Sequence, residues 1–169
     1  MWLLCLVVQY LVLTSFIHHA QQVVLTTQVT RQQVERVEDR YNQLKASIGL
    51  PALLFFAYNQ ANLILVICTI IDHHNLNALG PCLTMLVVTL SIVLTLDKVH
   101  ELTGEVARRA ESAMYKEPSL RGYLRFQRAV DRLAGSGPVT ACGYFAVTKG
   151  TLTTMLATSL TYIIIMLQS

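Results

Sequence analysis

The chain has 169 residues, 53% of them hydrophobic and only 14% charged, with a formal net charge of +3 and a mean hydropathy of +0.48. Soluble domains carry roughly 25% charged residues, so the composition excludes an ordinary soluble domain and points to an all-α, polytopic membrane helix bundle with cytoplasmic helical extensions. The charges are also segregated. Seven lie between Arg31 and Lys45, fourteen between Asp97 and Arg132, and only Asp72 and Lys149 fall elsewhere.

A helix needs about 20 apolar residues to cross a ~30 Å hydrocarbon core. The first stretch, 1–17, is short for this but is predicted to span. Its alternative, a signal-peptide core ending near Ala20, lacks a basic leading segment and has His18 where a small residue is wanted. Residues 18–49 read as a long cytoplasmic helix, in which Val34, Val37, Tyr41, Leu44 and Ile48 form an apolar stripe at spacings of three and four. Gly49 and Pro51 predict a break or bend before a second span, 50–71. The connection 72–80 has no Lys or Arg, whereas the flanking connections hold all thirteen. Basic flanks stay cytoplasmic, so this loop is predicted to be extracellular.

A third span, 81–97, leads into cytoplasmic helices over 98–134. Val99, Leu102 and Val106 face one way, Glu105 can pair with Arg109, and Pro118 separates this helix from the next. In the second helix Arg121, Arg125, Arg128 and Arg132 form one stripe, opposite Tyr123, Phe126, Val130 and Leu133. The arginines suit either a solvated face or contact with anionic lipid. Together the apolar stripes predict an anchoring bundle beneath the membrane. "GSGP" then opens a linker, 135–148, before the last span, 149–169, which returns the carboxy terminus to the outside.

In that span Thr151, Thr154, Thr158, Thr161, Ile165 and Gln168 follow one another at spacings of three and four. Such a stripe serves helix packing, or it faces water in a pore made by several subunits, with Ile165 as an apolar constriction that gates by dewetting. Little else suggests chemistry. The pairs His18-His19 and His73-His74 diverge on a helix and make poor joint ligands. Cys68 and Cys82 lie near the outer side, where a bridge can form, although buried cysteine is also a common apolar residue. With no nucleophile triad, phosphate loop or carboxylate pair, the chain is not expected to be an enzyme or to carry a cofactor or metal.

"TYIIIMLQ", Thr161 to Gln168, resembles the Thr-Tyr, apolar, Gln, Phe signature that closes the last membrane helix of insect gustatory receptors. "TACGYFAVTKGTLTTMLATSL" resembles the same family's lead-in, with Gly143 and Phe145 at its Gly and Phe. "HELTGEVARRAESAMYK" and "YNQLKASIGLPALLFFAYN" are similar to its cytoplasmic helix and its entry to the fifth span. The resemblance implies seven spans, of which these four are the fourth to seventh, and so the carboxy-terminal portion of a ligand-gated cation channel. It further implies tetrameric assembly with other receptor subunits, a small-molecule tastant and a plasma-membrane location among lipid; the net charge of only +3 on a membrane bundle separately argues against a nucleic-acid partner.

Carried over residue by residue, the resemblance assigns Thr161, Tyr162 and Gln168 to the signature, and Ile165 and Gln168 to the pore. Ser169 stands where the family has Phe. Tyr58, Asn59, Asn62 and Thr84 are the polar candidates for a ligand site, and interhelical hydrogen bonding explains them equally. The reading from a different class is a non-conducting membrane assembly subunit or a decayed receptor fragment; coupling to an intracellular transducer is a third.

Overall fold

The computed structural model describes residues 2–26, 29–73 and 79–168. Five helices carry most of these residues: α1 (Trp2–Leu25), α2 (Arg31–His73), α3 (Leu79–Met114), α4 (Leu120–Gly135) and α5 (Lys149–Gln168). Between α4 and α5 lie two short antiparallel strands, β1 (Thr140–Ala141) and β2 (Phe145–Ala146). The chain divides into two compact units. Unit 1 comprises Met1–Ile48 and Leu96–Val139, and unit 2 comprises Gly49–Thr95 and Thr140–Ser169.

Unit 1 is organised by the stripes expected from sequence. Val34, Val37, Tyr41, Leu44 and Ile48 are all buried, as are Val99, Leu102 and Val106, and Phe126, Val130 and Leu133. Tyr123 is only half-buried, and the four arginines opposite it are exposed. The Tyr41 ring lies 5.9 Å from that of Phe16 on α1, and its hydroxyl donates to the Gly137 carbonyl at 3.1 Å. Burial pushes the Tyr41 hydroxyl up to about 12, so it remains a neutral donor. Lys45 donates to the same carbonyl at 3.1 Å. Glu105 pairs with Arg109 at 3.3 Å, the expected i, i+4 pair, and also with Arg108.

The predicted continuous helix over 18–49 is interrupted. α1 ends at Leu25 and α2 begins at Arg31. The cause is a capping box at Thr30: its backbone N–H donates to the Gln33 side chain at 2.8 Å, while the Gln33 N–H meets the Thr30 hydroxyl at 3.4 Å. This pair satisfies donors that a helix start would otherwise leave open. α4 is capped by Ser119 alone, whose hydroxyl accepts from the Gly122 N–H at 3.0 Å.

The break predicted at Gly49 and Pro51 does not occur, because α2 runs through both. Pro51 removes one ladder donor, but the helix re-forms around it. Gly49 has a different task in unit 2. A Cβ placed there would lie 3.4 Å from both the Cys142 nitrogen and the Thr140 oxygen, so glycine lets the β hairpin approach the helix backbone.

The predicted linker thus holds an ordered hairpin. Ala141 accepts from the Tyr144 N–H at 3.0 Å, and the two residues between them, Cys142 and Gly143, have φ of 52° and 80°. Positive φ at both central positions is the signature of a type I′ hairpin turn.

Unit 2 buries few of its side chains: chiefly Ala52, Phe56, Val93, Ala141 and Val147, with the polar residues Asn59, Thr89 and Ser159. Its outward surface is apolar, including Leu54, Leu65, Leu83, Val87, Leu94 and Leu160. α2 and α3 are each long and apolar enough to cross a membrane, and only 17% and 22% of their most apolar windows are buried. The core helix of a soluble protein would be mostly buried. Both helices are therefore candidate membrane spans.

Candidate functional site

Most of α5 is exposed, Leu156, Leu160 and Ile164 as well as the face expected to line a pore. Thr154, Thr158, Thr161, Ile165 and Gln168 are exposed and Thr151 is half-buried. The hydroxyls of Thr154, Thr158 and Thr161 each donate to the carbonyl four residues earlier, at 3.0, 2.8 and 2.9 Å. The Thr151 hydroxyl donates to the Ala146 carbonyl at the end of β2. With their protons turned back to the helix, these hydroxyls present oxygen acceptors outward. Ile165 is 55% exposed, and Tyr162 is exposed too. Ser169 lies outside the described residues.

The lower part of this face adjoins α2 and the hairpin. Thr151, Thr154 and Thr158 line a cavity of about 500 Å³ together with Phe56, Gln60 and Phe145. Phe145 packs edge-on against Phe56 at 5.7 Å and 81°. Two residues of the hairpin therefore have clear physical tasks: Gly143 permits the turn, and Phe145 docks the hairpin that precedes α5.

Behind the threonine face, the other side of α5 lines a second, more closed cavity of about 260 Å³. Leu152, Met155 and Leu156 of α5 face Met85, Leu86 and Thr89 of α3 across it. α2 contributes Tyr58, Asn59, Gln60 and Asn62. Of the four residues expected at a ligand site, the structure brings Tyr58, Asn59 and Asn62 together here. Thr84 does not join them; it is exposed and bonds the Gly80 carbonyl.

Three residues that sequence reasoning passed over complete this polar cluster. Asn59 donates from Nδ2 to the Thr89 hydroxyl oxygen at 3.0 Å, and Gln60 donates from Nε2 to the Ser159 hydroxyl oxygen at 3.0 Å. Thr89 and Ser159 each spend their own proton on the carbonyl four residues back, at 2.8 and 2.9 Å. The hydroxyl oxygens must therefore accept, which fixes both amide orientations. Adjacent amides in an apolar span were the available signal for Gln60. Ser159 continues the Leu152, Met155, Leu156 face of α5 by the same three-and-four spacing, and there it is a second polar intruder besides Thr153.

The bridge allowed for Cys68 and Cys82 involves a side chain, that of Cys82, outside those described, as are the side chains of the pair His73-His74. The chain matches no protein-family model, no curated protein and no solved structure.

Proposed function

We propose that the chain is part of a chemosensory receptor of the gustatory class, a subunit of a ligand-gated cation channel in the plasma membrane with its carboxy terminus outside. The observation that carries this reading is the face of α5 on which Thr151, Thr154, Thr158 and Thr161 lead to Ile165 and Gln168, on a unit whose outward side chains are mostly apolar. An acceptor-lined strip on a lipid-facing helix gains most when it meets the same strip of other subunits around water. Four copies would place Ile165 in a ring, an apolar constriction closed to hydrated ions. Gln168 at the mouth would offer its amide oxygen to cations. A tastant bound among the helices would favour the open arrangement by binding it more tightly than the closed one.

Ile165→Asn in the full-length receptor should raise ligand-free current by wetting the constriction. Unchanged resting and evoked currents, with normal surface expression, would remove Ile165 as the gate and favour a non-conducting assembly subunit.

A further inference from the structure

Unit 2 contains two amide carbonyl oxygens that the fold leaves unused. Asn59 Oδ1 and Gln60 Oε1 are buried without a hydrogen-bond partner, and Asn59 as a residue is only 7% exposed. Both side chains line the 260 Å³ cavity between α2, α3 and α5. Their orientation is not free to change, because each Nδ2 or Nε2 is held by a hydroxyl whose own proton is spent. One N–H of each amide is thus engaged, while both carbonyl oxygens are buried without a partner. A buried acceptor left unpaired costs roughly 1–3 kcal/mol, so two side by side in an apolar wall point to something that fills the space and donates to them.

We infer that this cavity binds a small, neutral, mostly apolar molecule carrying a hydroxyl or N–H donor, such as an alcohol or phenol. The wall decides the class. Leu63, Val66, Met85, Leu86, Leu152 and Leu156 call for an apolar body. Among the described residues no Asp or Glu lines the cavity, so an ammonium group would lose its hydration without a counter-charge. Among the described residues no Lys, Arg or His lines the cavity to balance an anion either. A donor-bearing neutral compound satisfies the oxygens, and the same compound without its donor does not.

This inference deepens the reading as a chemosensory receptor but depends on it only for the consequence of binding. Gln60 and Met155 line both this cavity and the wider one beneath Thr151, Thr154 and Thr158. An occupant therefore touches side chains that also border the threonine face.

The test is fluorine NMR on the full-length protein in lipid nanodiscs, with empty nanodiscs as the partitioning reference. The probes are para-trifluoromethylphenol and its methyl ether, which share a body and differ in the donor. The phenol should bind about tenfold more tightly than the ether, the value of one hydrogen bond to a buried acceptor. Asn59→Leu and Gln60→Met should each lower that ratio toward one while leaving the ether's affinity nearly unchanged. Leu152→Phe, which fills the cavity and keeps both amide pairs, should weaken both probes. Equal affinity of phenol and ether in the unsubstituted protein, or a ratio indifferent to both amide substitutions, would overturn the inference. If Asn59→Leu does not fold, the half-buried Gln60 carries the comparison alone. Binding with this selectivity but no ligand-evoked current would sink the channel reading and leave the cavity's ligand class standing.

Discussion

Unit 1 and unit 2 draw on the same two long helices, α2 and α3, yet they treat apolar side chains in opposite ways. In the α2, α3 and α4 portions of unit 1 the apolar residues are arranged in stripes, the stripes are buried, and charged residues lie on the outside, whereas α1 carries no charge and exposes Tyr10, Leu11 and Val12. In unit 2 apolar residues are nearly everywhere, and large ones such as Leu65, Val87 and Leu160 face outward, while the polar Asn59, Thr89 and Ser159 are buried. A single rule explains both. In water, burying apolar area drives packing; in lipid, that drive vanishes and buried polar pairs join the helices instead. The α2 and α3 portions of the two units thus suit two different surroundings, and the change falls within continuous helices.

The sharpest way to break this contrast is to place the same charge in each unit. Val37→Asp puts an unpaired carboxylate into the core of unit 1, where Val37 is fully buried; the expected loss is about 3–5 kcal/mol, read as a collapse of the melting transition. Leu65→Asp, on the exposed face of unit 2, would be nearly silent in water. In a bilayer it should cost about 2.5–3.5 kcal/mol of insertion free energy, measurable as reduced spanning in a glycosylation-mapping assay. Full insertion of Leu65→Asp would deny the second solvent.

Smaller effects sharpen the picture within each unit. Gly143→Ala sets a Cβ at a φ of 80° and should lower stability by about 1–2 kcal/mol through left-handed strain. Tyr41→Phe removes the bond to the Gly137 carbonyl but not the one from Lys45, so about 1 kcal/mol is expected by thermal denaturation.

The smallest effect is a pH dependence at His19. Burial first, then Arg40, Arg36 and His18, lowers this imidazole below its ordinary value near 6.5. A depressed folded-state value means that the unfolded chain binds the proton first. His19 therefore adds stability above about pH 6.5, lost as pH falls toward the folded value. His19→Gln should flatten the fall in melting temperature between pH 7 and 5. Glu38 works in the opposite sense. Its carboxyl is raised mainly by burial, against the attraction of Arg132, so its contribution is complete at acid pH and lost as pH rises through the folded value. The two groups thus oppose one another across acidification, and the His19 variant separates them. No difference from the parent would show that His19 is solvated.

Much of unit 1 was legible in sequence, because periodicity against a charged background reports burial directly. The Thr30 capping box was also readable but was outweighed by the long stripe that follows it. Unit 2 was harder. Where nearly every residue is apolar, spacing no longer tells inside from outside, and the breaker sense of Gly49 and Pro51 misled because neighbouring backbone, not helix ending, explains the glycine. The threonine face of α5 could be read because hydroxyls stand out among leucines. The partners of Asn59 and Gln60 could not, since pairing across helices leaves no spacing in one chain.

The central claim is that unit 2 turns one polar face toward water and the rest toward lipid. Cysteine substitution along α5, on a background without native reactive cysteines, tests it through block by a charged thiol reagent during current recording from cells that express the protein. Cysteines replacing Thr154, Thr158 and Thr161 should be blocked, and those replacing Leu160 and Ile164 should not. Equal reactivity around the helix, or protection of all five positions during ligand-evoked current, would contradict the account.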